Sequence, residues 1–181
     1  MSNNPGQANT KKSKRIIQIA APLLIILIAA VIFFVKNSDS AQTIGQSPNL
    51  TITELNIDEM TSQGKPVIID FGSDFCQPCK LMAPELEAVH NAMKGKAFVH
   101  YVDTMESPEI AGQFPIQVVP TQVLYDKDGN PFVPSDELAS QIQFSIYTHR
   151  DTGEHALTTH QGYLSAEQLY MILEEMGAET P

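Results

Sequence analysis

The sequence predicts an α/β domain with a central mixed sheet flanked by helices, preceded by one transmembrane helix. The run Val67–Phe71 is a nearly continuous apolar run rich in β-branched residues, interrupted only by Asp70, as in a strand buried on both faces. Apolar residues then recur at helical spacing from Leu81 to Met93. Strand and helix patterns continue to alternate until a hairpin signal at 126–129 and a final helix. This alternation, with a hairpin late in the chain, indicates a sheet with both parallel and antiparallel strands.

Short elements are expected before the buried strand. Residues 50–55 alternate between apolar and polar, which predicts a first strand. Asn56 followed by Glu59 is a capping-box pattern, so a helix is expected over 57–63. The Gly-Lys-Pro sequence at 64–66 ends that helix.

The elements after the central helix are predicted from the same periodicities. Pro84 should kink the central helix, and Gly95 ends it. Ser165 and Gln168 form a capping box for the last helix. The remaining predicted elements are strands at 97–102, 121–125, 141–148 and 155–161, a short helix at 107–114 and a turn at 150–154.

The N-terminal segment has the pattern of a membrane anchor. Residues 16–35 form an uncharged run of 20, enough for a helix to cross a bilayer. A basic cluster in residues 1–15 predicts a cytoplasmic tail and an extracytoplasmic domain. A cleaved signal peptide is the alternative, but its apolar region is usually about 7–15 residues long. Residues 36–49 are rich in Ser, Gln, Asn and Gly and are expected to form a flexible tether to the domain at 50–181.

Charge is distributed unevenly along the chain. Of 11 basic and 21 acidic residues, five basic and one acidic lie in the first forty positions. The remainder carries a net charge of −14, and phosphate binding needs a basic surface. Nucleic acid is therefore excluded as a partner.

The only two cysteines, Cys76 and Cys79, enclose Gln77 and Pro78. Two cysteines are too few for a disulfide framework or a four-cysteine zinc site. Lys80 follows the second cysteine where a c-type haem attachment site needs histidine. We therefore expect no metal and no cofactor. Redox chemistry of the cysteine pair is the interpretation that remains. An inert disulfide or half of a zinc site is the alternative.

The motif lies at a strand–turn–helix junction. Cys76 at the helix start would have its thiolate stabilised by free N–H groups, which lowers its pKa below about 8.5. Pro78 suits the first turn. Cys79, one turn further, is expected to be the shielded, resolving thiol. Cys76 would attack a substrate disulfide to give a mixed disulfide, and Cys79 would then release the substrate as a dithiol. The reverse steps would oxidise a substrate.

These residues resemble those of a known family. The segment from Asp70 to Lys80 resembles the active-site segment of thioredoxins, and residues 118–121 resemble their cis-proline loop. Gly162 also has a counterpart. The resemblance covers about 50–125 and 162–177 and implies a thioredoxin-like fold.

The resemblance also implies roles for individual residues. Pro120 should be cis and face the cysteines, and the backbone of Val119 should pair with a bound substrate strand. Phe75 beside the cysteines, and Gln77 and Pro78 between them, should contact the substrate. Asp70 should be the buried base that deprotonates the resolving cysteine. A strand-end carboxylate bonded to backbone is the alternative for Asp70.

The sequence departs from the thioredoxin pattern at several positions. Gln77 replaces the usual glycine between the cysteines, so the redox potential cannot be carried over. Gly72 and Phe75 stand where thioredoxins carry tryptophans, and Gly72 should leave space near Asp70. Tyr101 replaces a lysine, so the pKa of Asp70 should be higher than in the family. Residues 132–159 are expected to form an insertion.

Three functions follow from these observations. The first is a dithiol reductase of extracytoplasmic protein disulfides, supplied by an integral-membrane thiol electron carrier and with apocytochromes c among its clients, as in similar anchored proteins. The second is a disulfide-forming oxidase, and the third a tethered non-catalytic binding module. His149, His155 and His160 share no strand or helix period and are expected at the surface of a hairpin rather than around a metal.

Overall fold

The computed structural model describes residues 49–181. The predicted cytoplasmic tail, the membrane span at 16–35 and all but the last residue of the tether lie outside this range and stay predictions. Within 49–181, no helix combines the length and apolar character needed to span a bilayer. The helices are α1 Ile57–Thr61, α2 Gln77–Ala92, α3 Pro108–Ala111, α4 Asp136–Gln141 and α5 Ala166–Glu175. The strands are β1 Val67–Gly72, β2 Phe98–Asp103, β3 Thr121–Tyr125, β4 Phe144–Thr148 and β5 His155–Gln161.

The strands form one mixed sheet in the order β2-β1-β3-β5-β4. Only β1 and β2 are parallel, and every other neighbouring pair is antiparallel. The predicted fold class of the domain is therefore confirmed. Because β1 lies inside the sheet, its end is held from both sides, and the β1–α2 junction that carries the cysteines is fixed with it.

Helices cover both faces of β1, whose six residues are all buried. Ile68 belongs to a core cluster with residues of α2 and α5, whereas Ile69 belongs to a second cluster that includes Ile110 of α3. Successive side chains of a strand point to opposite faces. Asp70 therefore lies on the same face as Ile68, towards α2 and α5.

The helix starts follow the predicted capping signals. The side chain of Asn56 accepts a hydrogen bond from the Glu59 N–H at 3.2 Å. Ser165 and Gln168 form the reciprocal capping box at the start of α5. Each cap satisfies backbone groups that lack a partner within the helix.

Two predicted elements differ from the structure. Residues 50–55 form no strand, because only Thr51 bridges to Tyr101 at the sheet edge. The signal at 126–129 forms a turn closed by one bridge between Tyr125 and Pro131. The strand expected over 141–148 is present but begins later, as β4 at Phe144, because Gln141 is the last residue of α4. Proline cannot donate a ladder hydrogen bond, which limits pairing after the turn. Residues 132–159 thus build α4, β4 and the start of β5.

Candidate active site

The two cysteines lie at the junction between β1 and α2. Cys76 is the N-cap of α2, and its Sγ accepts a hydrogen bond from the Cys79 N–H at 3.2 Å. Pro78 occupies the first turn, where a missing N–H has no consequence. The cysteines are joined by a disulfide with an S–S distance of 2.21 Å. The sequence motif thus becomes a redox pair at the positive end of a helix.

The two sulfurs differ in accessibility. Cys76 is half-buried at the surface, whereas Cys79 is 2 % exposed and packs in the α2–α5 core. Gln77 and Pro78 are exposed, and Phe75 is 90 % exposed. An incoming disulfide can reach Cys76, while Cys79 is shielded from solvent.

The loop before β3 faces the disulfide. The Val119–Pro120 peptide bond is cis, the geometry that the thioredoxin resemblance implies. The Val119 carbonyl oxygen lies 3.4 Å from Cys76 Sγ. The Pro120 carbonyl accepts a hydrogen bond from the Gly162 N–H at 2.9 Å, which ties the loop to the chain before α5. The structure therefore places Val119 and Pro120 beside the reactive sulfur.

Asp70 is buried beneath α2. Its Oδ1 accepts a hydrogen bond from Gln122 Nε2 at 2.7 Å, and the same nitrogen lies 3.4 Å from Met82 Sδ. Met82 is three residues beyond Cys79 on the inner face of α2. Burial raises the pKa of Asp70 from 3.8 to about 7, although the bond from Gln122 lowers it in part. A carboxyl group with that pKa can both take up and release a proton near neutrality.

Comparisons with known proteins agree with this geometry. The family model described as thioredoxin matches residues 48–143, which is more than half of the chain. The chain belongs to the thioredoxin family. It is similar to a thioredoxin of Alicyclobacillus acidocaldarius, with 34% identity over 99 residues that cover 51% of this chain and 93% of that protein. A thioredoxin-like protein of Synechocystis is 45% identical over 67 residues, 37% of this chain and 63% of the other.

Among solved structures, a mutant thioredoxin from Halobacterium salinarum covers 76% of this chain and 100% of its own, at 22% identity and a TM-score of 0.49. Thioredoxin homologues are thiol–disulfide oxidoreductases that act on protein disulfides. The chain is accordingly a thioredoxin-family thiol–disulfide oxidoreductase with Cys76 and Cys79 as its redox pair.

Tyr101 fills the space beside Gly72 in this thioredoxin domain. A Cβ added at Gly72 would come within 2.6 Å of Tyr101 Cε2. The prediction that Gly72 leaves space is therefore wrong, because the ring from the neighbouring strand occupies it. Burial, followed by the charge of Asp103, raises the pKa of the Tyr101 hydroxyl, so it stays neutral at physiological pH.

Asp103 holds the thioredoxin active-site loop and was not predicted. Its Oδ1 accepts hydrogen bonds from the Met105 and Glu106 N–H groups at 2.7 and 3.1 Å. Its Oδ2 accepts one from the Asp74 N–H at 3.3 Å and lies 3.4 Å from the Tyr101 hydroxyl. An aspartate at a strand end before a turn was the available signal, since such side chains bond to nearby backbone N–H groups.

Gln122 is the second residue of the site that was not predicted. It is fully buried on β3 and contacts Asp70, 52 positions away. A polar side chain within a buried apolar strand was the signal for it. The pairing with Asp70 depends on the register of β1 and β3, which opposes the two residues.

The histidines of the β4–β5 hairpin occupy different environments. His149 is exposed, but His160 is buried, so the prediction of a surface position is wrong for His160. His160 Nδ1 lies 2.8 Å from the Gln143 carbonyl, and burial lowers the pKa of the ring. Across residues 49–181, no three His, Cys, Asp or Glu side chains are grouped as a metal site.

Proposed function

We propose that this thioredoxin-family protein is a dithiol reductase of protein disulfides outside the cytoplasm, anchored by residues 16–35. The observation that carries the proposal is the buried Asp70 beneath α2, with a pKa of about 7. A reductase must deprotonate a shielded second thiol to complete each cycle. Asp70 is suited to that step because it can accept a proton at neutral pH.

The reaction uses both sulfurs in turn. In the reduced protein, the Cys76 thiolate attacks one sulfur of the client disulfide and forms a mixed disulfide, and the other client sulfur leaves as a thiolate that takes up a proton. Asp70 then accepts the proton of Cys79, whose sulfur attacks Cys76. The Cys76–Cys79 disulfide forms as the Cys76–client bond breaks, and the client leaves as a dithiol. Two electrons have then passed from the protein to the client.

The surface around Cys76 is suited to a polypeptide client. Phe75 offers an exposed apolar ring, with Gln77 and Pro78 exposed beside it. The backbone of Val119 would pair with an extended client segment next to the sulfur. Main-chain pairing of this kind gives affinity with little dependence on sequence.

Membrane placement is supported by the sequence pattern. The uncharged run at 16–35 follows the basic cluster at 11–15, which favours an inside N-terminus and an outside domain. Each catalytic cycle consumes two electrons, so an outside reductase needs an integral-membrane thiol carrier to reduce Cys76–Cys79 again. Apocytochromes c are proposed among its clients because their cysteines must be reduced before haem is attached.

The decisive experiment is partner trapping with the full-length Cys79→Ser variant. It should accumulate mixed disulfides through Cys76 with oxidised clients, and Cys76→Ser should capture none. The potential of the Cys76–Cys79 couple should lie at or below about −200 mV. A potential well above that value would contradict a reductase. A mature N-terminus near Ala41 would contradict the anchor.

A disulfide-forming oxidase is the second candidate. The hydrogen bond from the Cys79 N–H to Cys76 Sγ favours the thiolate, and a stabilised reduced form makes a couple more oxidising. An oxidase would be found mostly bridged in cells. Alkylation of thiols in intact cells, followed by mass measurement, separates the candidates, because a working reductase is kept mostly as the dithiol.

A further inference from the structure

Gln122 is a polar residue buried inside the sheet. It is fully buried on β3, and the next two residues of that strand, Val123 and Leu124, belong to the hydrophobic cores. An unbranched apolar side chain of similar length would fill the site without burying polar atoms. Burying a polar group is unfavourable unless hydrogen bonds replace its contacts with water.

The amide of Gln122 is only partly satisfied. Its Nε2 donates to Asp70 Oδ1 at 2.7 Å and to the Gly162 carbonyl at 3.3 Å. Its buried Oε1 has no hydrogen-bond partner among the residues that the structure describes. The side chain therefore functions as a donor, and the shortest of its contacts is to the carboxylate.

The contacts of Gln122 also fix its place under α2. The same Nε2 lies 3.4 Å from Met82 Sδ, one turn beyond Cys79. The amide is thus held between the carboxylate of β1, the inner face of α2 and the chain before α5. A donor fixed on three sides restricts the orientation of the carboxylate that it binds.

We propose that Gln122 is a positioning residue that holds the Asp70 carboxylate in place and favours its ionised form, so that it can accept the proton of Cys79. This inference rests on the proposed role of Asp70 and deepens it. No cation contributes to the environment of Asp70 in the described chain. The neutral amide of Gln122 supplies the stabilisation instead.

The other ionisable groups around Asp70 do not obscure its titration. Tyr101 faces it from β2, and its raised pKa keeps it neutral. His160 on β5 lies opposite Gln122 on β3, and its lowered pKa keeps the ring neutral at pH 7. Asp103 contacts the Tyr101 hydroxyl and the Asp74 N–H, and neither aspartate is among the groups that shift the pKa of Asp70. Cys79 is the thiol that Asp70 would serve.

The test follows the resolution step in the full-length protein. Reduced protein is mixed with dithiodipyridine, and release of the absorbing thiopyridone is followed with time. Attack by Cys76 gives a first phase that depends on reagent concentration. Attack by Cys79 gives a second, intramolecular phase that does not. The rate of this second phase is measured from pH 5 to 9.

Gln122→Met removes the donor with little change in side-chain shape. Loss of a hydrogen bond to a charged group should raise the pKa of Asp70 by about one unit. The ionised fraction at pH 7 then falls from about one half to about one tenth, and the second phase slows about five-fold. Towards pH 9 the rates should converge, because Asp70 is then largely ionised in both proteins. A purely structural defect would slow the reaction equally at every pH.

Two further variants separate the possible outcomes. Met82→Leu removes only the longest of the three contacts of the amide and keeps those to Asp70 and Gly162, so its pH profile should match the wild type. Asp70→Asn should abolish the pH-dependent component near 7. If the pH-dependent component persists in Asp70→Asn, the proposed role of Asp70 is wrong. If that component is abolished, but the Gln122→Met profile matches the wild type, only the inference about Gln122 is overturned.

A measurement on the unmodified protein covers the case in which Gln122→Met does not fold. The side-chain amide resonances of Gln122 should shift with the same midpoint as the Asp70 carboxyl carbon, because the amide donates directly to that carboxylate. Amide resonances that do not move while Asp70 titrates would overturn the proposal.

Discussion

The ring of Tyr101 occupies the position that a side chain on Gly72 would take, with Cε2 only 2.6 Å from an added Cβ. Tyr101 is 2 % exposed, and its hydroxyl lies 3.4 Å from Asp103 Oδ2. Burial and this contact therefore favour the observed position of the ring. Tyr101 on β2 and Gly72 at the end of β1 are therefore complementary in shape, and Gly72 lies four positions before the reactive cysteine.

Gly72→Ala should destabilise the domain by about 1–3 kcal/mol, because a methyl group would overlap the Tyr101 ring. In a Tyr101→Leu background the same substitution should cost much less. Denaturant unfolding of the two single variants and the double variant measures the coupling. Equal costs in both backgrounds would show that the ring does not restrict Gly72.

Asp70→Asn should stabilise the oxidised protein, and the gain should grow as pH rises. In the folded state Asp70 has a pKa of about 7, against 3.8 for an ordinary aspartate. Between these values the folded chain holds a proton that the unfolded chain has lost, so stability falls with rising pH. The Asp70→Asn variant has no titrating group at this position, so its free energy of unfolding does not fall in this way. It should be more stable than the wild type by up to about 4 kcal/mol above pH 7, with little difference below pH 4.

Urea unfolding of the wild type and Asp70→Asn at pH 4, 6 and 8 checks this expectation. Asp151→Asn is the matched control, because Asp151 is exposed in the β4–β5 turn. A stability difference between Asp70→Asn and the wild type that does not vary with pH would be incompatible with a raised Asp70 pKa.

Phe75→Ser should slow the reduction of protein disulfides without lowering stability. The ring is 90 % exposed beside Cys76, so its removal should change the unfolding free energy by no more than about 0.5 kcal/mol. Turnover of a protein disulfide is the assay, with a small-molecule disulfide for comparison. Ile146→Ser on the outer strand β4, where Ile146 is 56 % exposed, should leave turnover unchanged. Equal losses in both variants would argue against contact between Phe75 and the client.

Alkylation of the reduced protein should modify Cys76 well before Cys79. Cys76 is half-buried, whereas Cys79 is 2 % exposed within the core. Iodoacetamide at pH 7, stopped at intervals and mapped by mass spectrometry, should show a single adduct on Cys76. Modification of both cysteines at the same rate would contradict the assignment of Cys79 as the shielded thiol.

Local sequence patterns predicted the elements that pack into the core. The buried run at β1, the helical spacing of α2 and the capping box of α5 each appear in the structure within a few residues of their predicted bounds. The strand predicted at 50–55 is absent because an alternating pattern alone does not supply a pairing partner at a sheet edge. The helix α4 was missed because its apolar stripe is too short for a clear period, although Ser135 caps it.

The candidate site was predictable as far as its motifs extend. The cysteines, Asp70 and Pro120 lie in short segments whose spacing can be read directly. The contacts of Gln122 and Asp103, and the fit of Tyr101 against Gly72, join residues that only the sheet register brings together. Such relationships are properties of the folded pairing and have no local pattern in the sequence.

Only Thr121, the first residue of β3, separates Pro120 from Gln122. The register of β3 therefore determines the position of both residues. It sets how closely the loop approaches Cys76 and whether an amide or an apolar group lies under the carboxylate. A slip of one residue would turn Gln122 to the opposite face of the sheet. The proposed client contact at Val119 and the proposed proton transfer at Asp70 would then be lost together.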